Sequence, residues 1–239
     1  MNLQVGEYRS SLSTRRETKE KIFQTLRADI ISQKLKPGQA VREEDLANRF
    51  GVSRTPIREM LLRLEYEDLV KLVPNRGVFV SELMSKDIEE VIEIRLTLET
   101  TAARMAASKL TEQHISELNN ISEELDVAVE LQDSILSFGA DSRLHNLILE
   151  AAGNHRAHKI INNLMGQIHR IRFISGHKPG RSNTTTSEQK EIIRALLNKD
   201  PAKAEEAMRI HLLNTKELLL PSSEMERKFE EFVRNSVPI

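Results

Sequence analysis

Apolar positions along the chain change rhythm near residue 80. From 18 to 33, Ile22, Phe23, Leu26, Ile30 and Ile31 recur at helical spacing, with Thr18 available as a cap. The turn Leu35-Lys36-Pro37-Gly38 ends that helix. A second helix is expected over 43–50, with Leu46, Ala47 and Phe50 inward and Gly51 closing it. A third is expected over 55–67: Pro56 suits its first turn, and Ile57, Met60, Leu61 and Leu64 form its buried stripe. Two β-rich runs, 69–73 and 78–80, flank the turn Pro74-Asn75-Arg76-Gly77 and predict a hairpin. This order is the layout of a winged helix-turn-helix. Residues 1–17 are polar and lack apolar periodicity, so they read as a flexible arm ahead of a domain over 18–82.

Beyond Ser81 the pattern is helical throughout. Runs over 86–108, 111–130, 132–151, 154–175, 187–197 and 201–220 predict an all-α antiparallel bundle over 83–222. Ser85 or Asp87 can cap the first of these, and Asp200-Pro201 is a cap followed by proline at the first helical position. Residues 176–186 (GHKPGRSNTTT) read as the longest break, and 223–239 as a charged, weakly patterned tail. The fold class expected is therefore mainly α, with one small hairpin.

Charge sharpens the division. The 239 residues carry a net −1, but 1–80 hold 15 Lys and Arg against 11 Asp and Glu, while 81–239 hold 20 against 25. A basic front half points to a polyanion, whereas the near-neutral total argues against sequence-neutral packaging of DNA. All seven histidines lie beyond residue 113. The absence of cysteine excludes disulfides and thiolate metal sites. No stretch reaches the ~18 consecutive apolar residues of a membrane span, and the start lacks a signal-peptide core, so the expected address is the cytoplasm, with no membrane partner.

Reading a major groove takes a helix that offers bidentate donors and small hydroxyls near its amino end, with flanking groups on phosphates. The third helix has Ser53, Arg54, Thr55 and Pro56 at its start, Arg58 one turn on and Arg63 on its polar face. Arg42 precedes the second helix, and Arg76 with Gly77 forms a wing tip able to enter the minor groove. This stretch, above all Gly51-Val-Ser-Arg-Thr-Pro-Ile-Arg-Glu, resembles the winged helix of GntR-family bacterial transcription regulators and their "GVSRTPVREAL" signature; Met60 departs from the usual Ala. The resemblance implies base or phosphate contacts by Arg54, Thr55 and Arg58 and a wing contact by Arg76 and Gly77.

In the helical half, Asp141 and His145 are i,i+4 on one helix, Arg95 and Glu99 on another, and Glu188, Gln189 and His211 follow later. The segments EVIEIRLTLETTAARMAA, DSRLHNLILEAAGN and SEQKEIIRALLNKDPAKAEEAMRIHL resemble the FCD ligand-binding domain of the FadR-type GntR subfamily. Many such domains hold a divalent metal through one Asp and three His, which by position implies Asp141, His145, residue 189 and His211. Residue 189 is Gln, a poorer ligand than imidazole for zinc or nickel. Three arrangements stay open: zinc, nickel or manganese on Asp141, His145 and His211 with water or Gln189; the same with His169 as fourth ligand; or no metal, with His145, His211, Arg95 and Arg172 holding an anion directly. Arg95, Glu99, His145, His169, Arg172, Gln189 and His211 are the candidate effector residues, and their character favours a small carboxylate such as a sugar acid or other organic acid.

The expectation is a homodimeric regulator, a repressor by resemblance, bound to a palindromic double-stranded operator and controlled by that acid. The competing reading is a metal-dependent hydrolase attached to a DNA-targeting module, with Glu188 or Glu99 as general base.

Overall fold

The structure is a computed structural model. It describes residues 2–175 and 182–220, with side chains for 16–84, 86–133, 135–171 and 184–220. The chain divides into two units. One gathers the described residues up to Leu83 together with Asn163–Phe173; the other gathers Met84–Asn162 and the described residues from Ile174 onward.

In the first unit, helix α1 (Asn2–Ile31), strand β1 (Ala40–Val41), helices α2 (Glu43–Phe50) and α3 (Arg54–Tyr66), and strands β2 (Val70–Val73) and β3 (Gly77–Val80) follow in order. The stripe Ile22, Phe23, Leu26 and Ile30 of α1 is buried against Ile57, Leu61 and Leu64 of α3, so the three helices share one core with the sheet. Gly51 closes α2 in the left-handed region at φ 64°, and its N–H caps Ala47 and Asn48 carbonyls. The sheet is antiparallel in the order β1-β3-β2, with Val78 opposite both Val41 and Leu72.

Two expectations change here. The arm expected over 1–17 is helical from Asn2, and Thr18 lies inside α1 rather than capping it. Once Ile22 to Ile30 anchor a helix, each residue added upstream gains a hydrogen bond without a new nucleation cost, and no proline intervenes. The strand β1 was not expected, because two residues carry no periodicity and exist as a strand only through pairing with β3.

The second unit holds α4 (Ser85–Ala106), α5 (Glu112–Glu130), α6 (Ser134–Ala152), the start of α7 (His155–Ser175), α8 (Ser182–Leu197) and α9 (Pro201–Leu219). Helix α4 packs on α9 and α6, α5 on α6 and α8, and α8 on α9. The entry to α4 is tied by Met84 N–H donating to Asp87 at 2.7 Å, and the Asp200 carboxylate accepts from Lys203 N–H at the head of α9. Helix α8 starts earlier than expected, at Ser182. The hydroxyl-rich 182–187 reads as loop by composition, yet Ser and Thr are well suited to a helix entrance, and Thr186 is buried there. Residues 176–181 of the expected break, and the expected tail over 223–239, lie outside the described residues.

By its contacts, Asn163–Phe173 in the second half of α7 groups with the winged-helix residues. Gln167 donates to Asp68 at 3.2 Å, Asn163 donates to the Tyr66 hydroxyl at 3.1 Å, and Arg170 donates to the Ser81 carbonyl. Gly166 permits this approach: a Cβ there would stand 2.8 Å from Glu67 Oε2 and 3.0 Å from Leu69 Cδ1. Among the described residues no helix is long and apolar enough to cross a membrane.

Candidate functional site

Two regions carry chemistry, one in each unit. In the first, Arg42 stands at the N-cap of α2, and Ser53, Arg54, Thr55 and Arg58 lie exposed along the start of α3, with Pro56 half-buried in its first turn. Ser53 has the extended backbone of an N-cap but spends no side-chain bond on it, which leaves its hydroxyl outward. Arg76 and Gly77 are exposed at the hairpin tip, where Asn75 at φ 61° and Gly77 at φ 100° make the turn. Arg58 donates through Nε and Nη2 to Glu43 at 3.0 and 2.8 Å, and Arg54 approaches Glu44 at 3.2 Å. Arg63 is different. It donates to Glu20 of α1 at 2.9 Å and lies 3.7 Å from the Phe23 ring centroid, so it braces α1 against α3.

The second region is a polar cluster inside the helical unit. Helix α4 supplies Arg95 and Glu99, α6 supplies Asp141 and His145, α8 supplies Gln189, and α9 supplies His211. Each is at most 3% exposed. Arg95 donates to Glu99 at 2.6 and 3.3 Å. Burial works to raise the Glu99 carboxyl, but Arg95 and then His145 beside it hold it far below the usual carboxylate range. Burial likewise works to lower His145, and Glu99 with Asp141 outweighs it, raising the imidazole above its ordinary value.

The two imidazoles are oriented by carboxylates. Nδ1 of His145 meets Glu99 Oε2, and Nδ1 of His211 meets Glu188 Oε2 at 3.1 Å, with Asn214 fixing Glu188 from its other oxygen at 2.7 Å. Carboxylates only accept, so each Nδ1 carries the hydrogen; in the neutral form, the one that binds a metal, each Nε2 then presents a lone pair. Those two Nε2 atoms are 3.3 Å apart, and each lies 3.5 Å from Asp141 Oδ1. With both imidazoles neutral these are three acceptors, which repel one another unless a proton or a cation sits among them. An ion with ligand distances of roughly 2.0–2.1 Å in tetrahedral geometry spaces its donors by about this much. With neutral imidazoles, Arg95 against Glu99, Asp141 and Glu188 also leaves two negative charges, which a divalent cation offsets.

Gln189 completes the ring. Its Nε2 donates to Asp141 Oδ1 at 2.6 Å, while its Oε1 is buried without a hydrogen-bond partner, as are Arg95 Nη1 and Thr186 Oγ1. Turning the amide over would present Oε1 as a fourth donor. The donor set thus fits a cation that accepts two nitrogens and two oxygens. Among the described residues the group able to share one ion is Asp141, His145 and His211. Among the described residues His169 is not a member of that group. Arg172 has its backbone in α7, and its side chain lies outside the described residues. Sequence reasoning gave Glu99 and Glu188 no orienting role and passed over Thr186 and Glu43; the i,i+3 spacing of Thr186 and Gln189 on α8 was the available signal.

The FCD domain family matches residues 90–214, and the family of bacterial regulatory proteins called gntR matches residues 18–80. The HTH-type transcriptional repressor RspR of Escherichia coli K12 is 28% identical over 203 residues, covering 85% of this chain and 89% of that protein. The HTH-type regulator YdhC of Bacillus subtilis is 26% identical over 191 residues, covering 79% and 85%. Among solved structures, McbR/YncC of E. coli shares the fold with a TM-score of 0.72 at 22% identity, covering 84% of this chain and 96% of that one. These relatives are named as regulators of transcription and give the hydrolase alternative no support.

Proposed function

Because the chain belongs to the GntR family of bacterial regulatory proteins and carries their FCD domain, we propose that it is a metal-assisted, acid-sensing repressor. It is a DNA-binding transcription regulator and not an enzyme. A homodimer would set two α3 helices about one DNA turn apart on a palindromic operator, with Arg54, Thr55 and Arg58 toward bases or adjacent phosphates and Arg76 and Gly77 in the minor groove. In the helical unit, Asp141, His145 and His211 hold one divalent cation, zinc, nickel or manganese, with the Gln189 amide oxygen as fourth protein ligand. The bound cation supplies a Lewis-acid anchor for an anion. Arg95 Nη1 offers the charged donor beside it, and together these suit a small organic or sugar acid. The acid changes operator affinity by binding one arrangement of the protein better than the other.

The observation that supports this reading is the convergence of two Nε2 atoms and one carboxylate oxygen on three side chains buried inside the helical unit. The test begins with metal content by mass spectrometry, on protein purified without a metal-affinity step. Near-stoichiometric metal is expected; protein that stays metal-free after loading and dialysis would remove the cation from the proposal. A panel of small acids and their amides is then screened by thermal shift. Stabilisation by an acid but not its amide is expected, and no response to any acid would overturn the sensing role.

A further inference from the structure

We propose that Glu43 is a specificity-determining positioning residue: it grips Arg58 by its Nε–Nη2 edge and thereby fixes the edge that Arg58 offers to a base pair. The proposal rests on the reading of α3 as the recognition helix.

Arg58 and Glu43 form a two-bond fork, Nε to Oε1 at 3.0 Å and Nη2 to Oε2 at 2.8 Å. The arginine side chain is 65% exposed and the glutamate 25%, so the acid is the anchored partner and the arginine the outward one. Its neighbour pair differs: Arg54 and Glu44 make one contact at 3.2 Å with both side chains over 60% exposed. Glu43 also occupies the first turn of α2, where the helix dipole favours an anion. The bond from Arg58 holds its carboxyl below the ordinary range, so the fork stays ionised at neutral pH.

A guanidinium has five N–H donors. The fork engages two, which leaves both on Nη1 and one on Nη2, the end-on pair that matches guanine O6 and N7. An arginine free to swing donates equally well to phosphate oxygens, and phosphate contacts carry no sequence information. The Glu43 carboxylate restrains that swing and repels a phosphate approaching the same edge. Its effect is therefore on discrimination more than on affinity.

The experiment uses the full-length protein with two probes, a duplex selected by the wild type from a random library and a scrambled duplex of equal composition. Dissociation constants are measured by fluorescence anisotropy across a salt series. Glu43→Gln is expected to tighten scrambled binding, to steepen its salt slope by about one phosphate contact, and to lower the specificity ratio by about fivefold or more. Glu43→Asp keeps the charge and is expected to recover most of that ratio. With Arg58→Ala in the background, Glu43→Gln should change the ratio less than about twofold, since the acid acts through the arginine. A wild-type ratio in Glu43→Gln, or an undiminished effect without Arg58, overturns the proposal. Arg58→Ala alone separates the two readings: if it keeps the wild-type ratio, the recognition-helix assignment fails instead. Should Glu43→Gln not fold, Glu43→Ala in the same series decides by the same criteria.

Discussion

Arg95 and Glu99 sit one turn apart on α4, a spacing that on a solvated helix contributes only a few tenths of a kcal/mol. Both are buried here, which changes the sign of the question. Arg95→Ala would strand an ionised Glu99 against His145, and a loss of about 3–5 kcal/mol in urea unfolding is expected; a loss near zero would mean that solvent reaches the pair. The i,i+4 spacing was legible in the sequence, whereas the burial was not, because it depends on α6 and α9 closing over α4. Gln189 is the other decisive side chain. Gln189→His is expected to raise zinc affinity about tenfold or more, measured against a competing chelator; unchanged affinity would place residue 189 away from the ion. That a glutamine stands where relatives of this fold class commonly have histidine could be read from the resemblance alone. Its bond to Asp141 and its orphaned oxygen could not, since both are facts of packing.

Helix limits written in local chemistry were legible. Asp200-Pro201 and Gly51 mark their helices because a cap and a left-handed turn are properties of a few adjacent atoms. Asp200→Ala is expected to lower the thermal unfolding midpoint; no change would mean that the Lys203 N–H finds an equal partner in water. A limit set by a distant partner was missed: β1 exists through β3. Helix α7 is the clearest case. Its apolar rhythm is the same along its length, so nothing local tells that Asn163–Phe173 is grouped by its contacts with the winged-helix residues. Gly166→Ala would press on Glu67, which also accepts from Arg27 at 2.8 Å, and on the buried Leu69. A destabilisation of about 1–3 kcal/mol is expected, with faster hydrogen exchange at Gln167 and Arg170. Unaltered exchange would show that the neighbours yield without cost.

The contrast between a basic front and a histidine-bearing remainder was visible in charge and residue placement, because composition averages over long stretches. A bound cation should stabilise the folded chain by mass action, about 2.7 kcal/mol at a hundredfold excess over its dissociation constant. Chelation is therefore expected to lower the melting midpoint of the wild type and to leave that of His211→Ala unmoved; equal shifts in both would locate the ion elsewhere. The small sheet has a further consequence for behaviour at high concentration. Its central strand is β3, and its margins are the two-residue β1 and the four-residue β2, which carries an exposed Lys71 and runs into Pro74. Short margins guarded by a charge and a proline are poor templates for a foreign strand. Copies crowded side by side on one stretch of DNA thus lack the open edge through which sheets fuse, and crowding alone should not drive them into fibres.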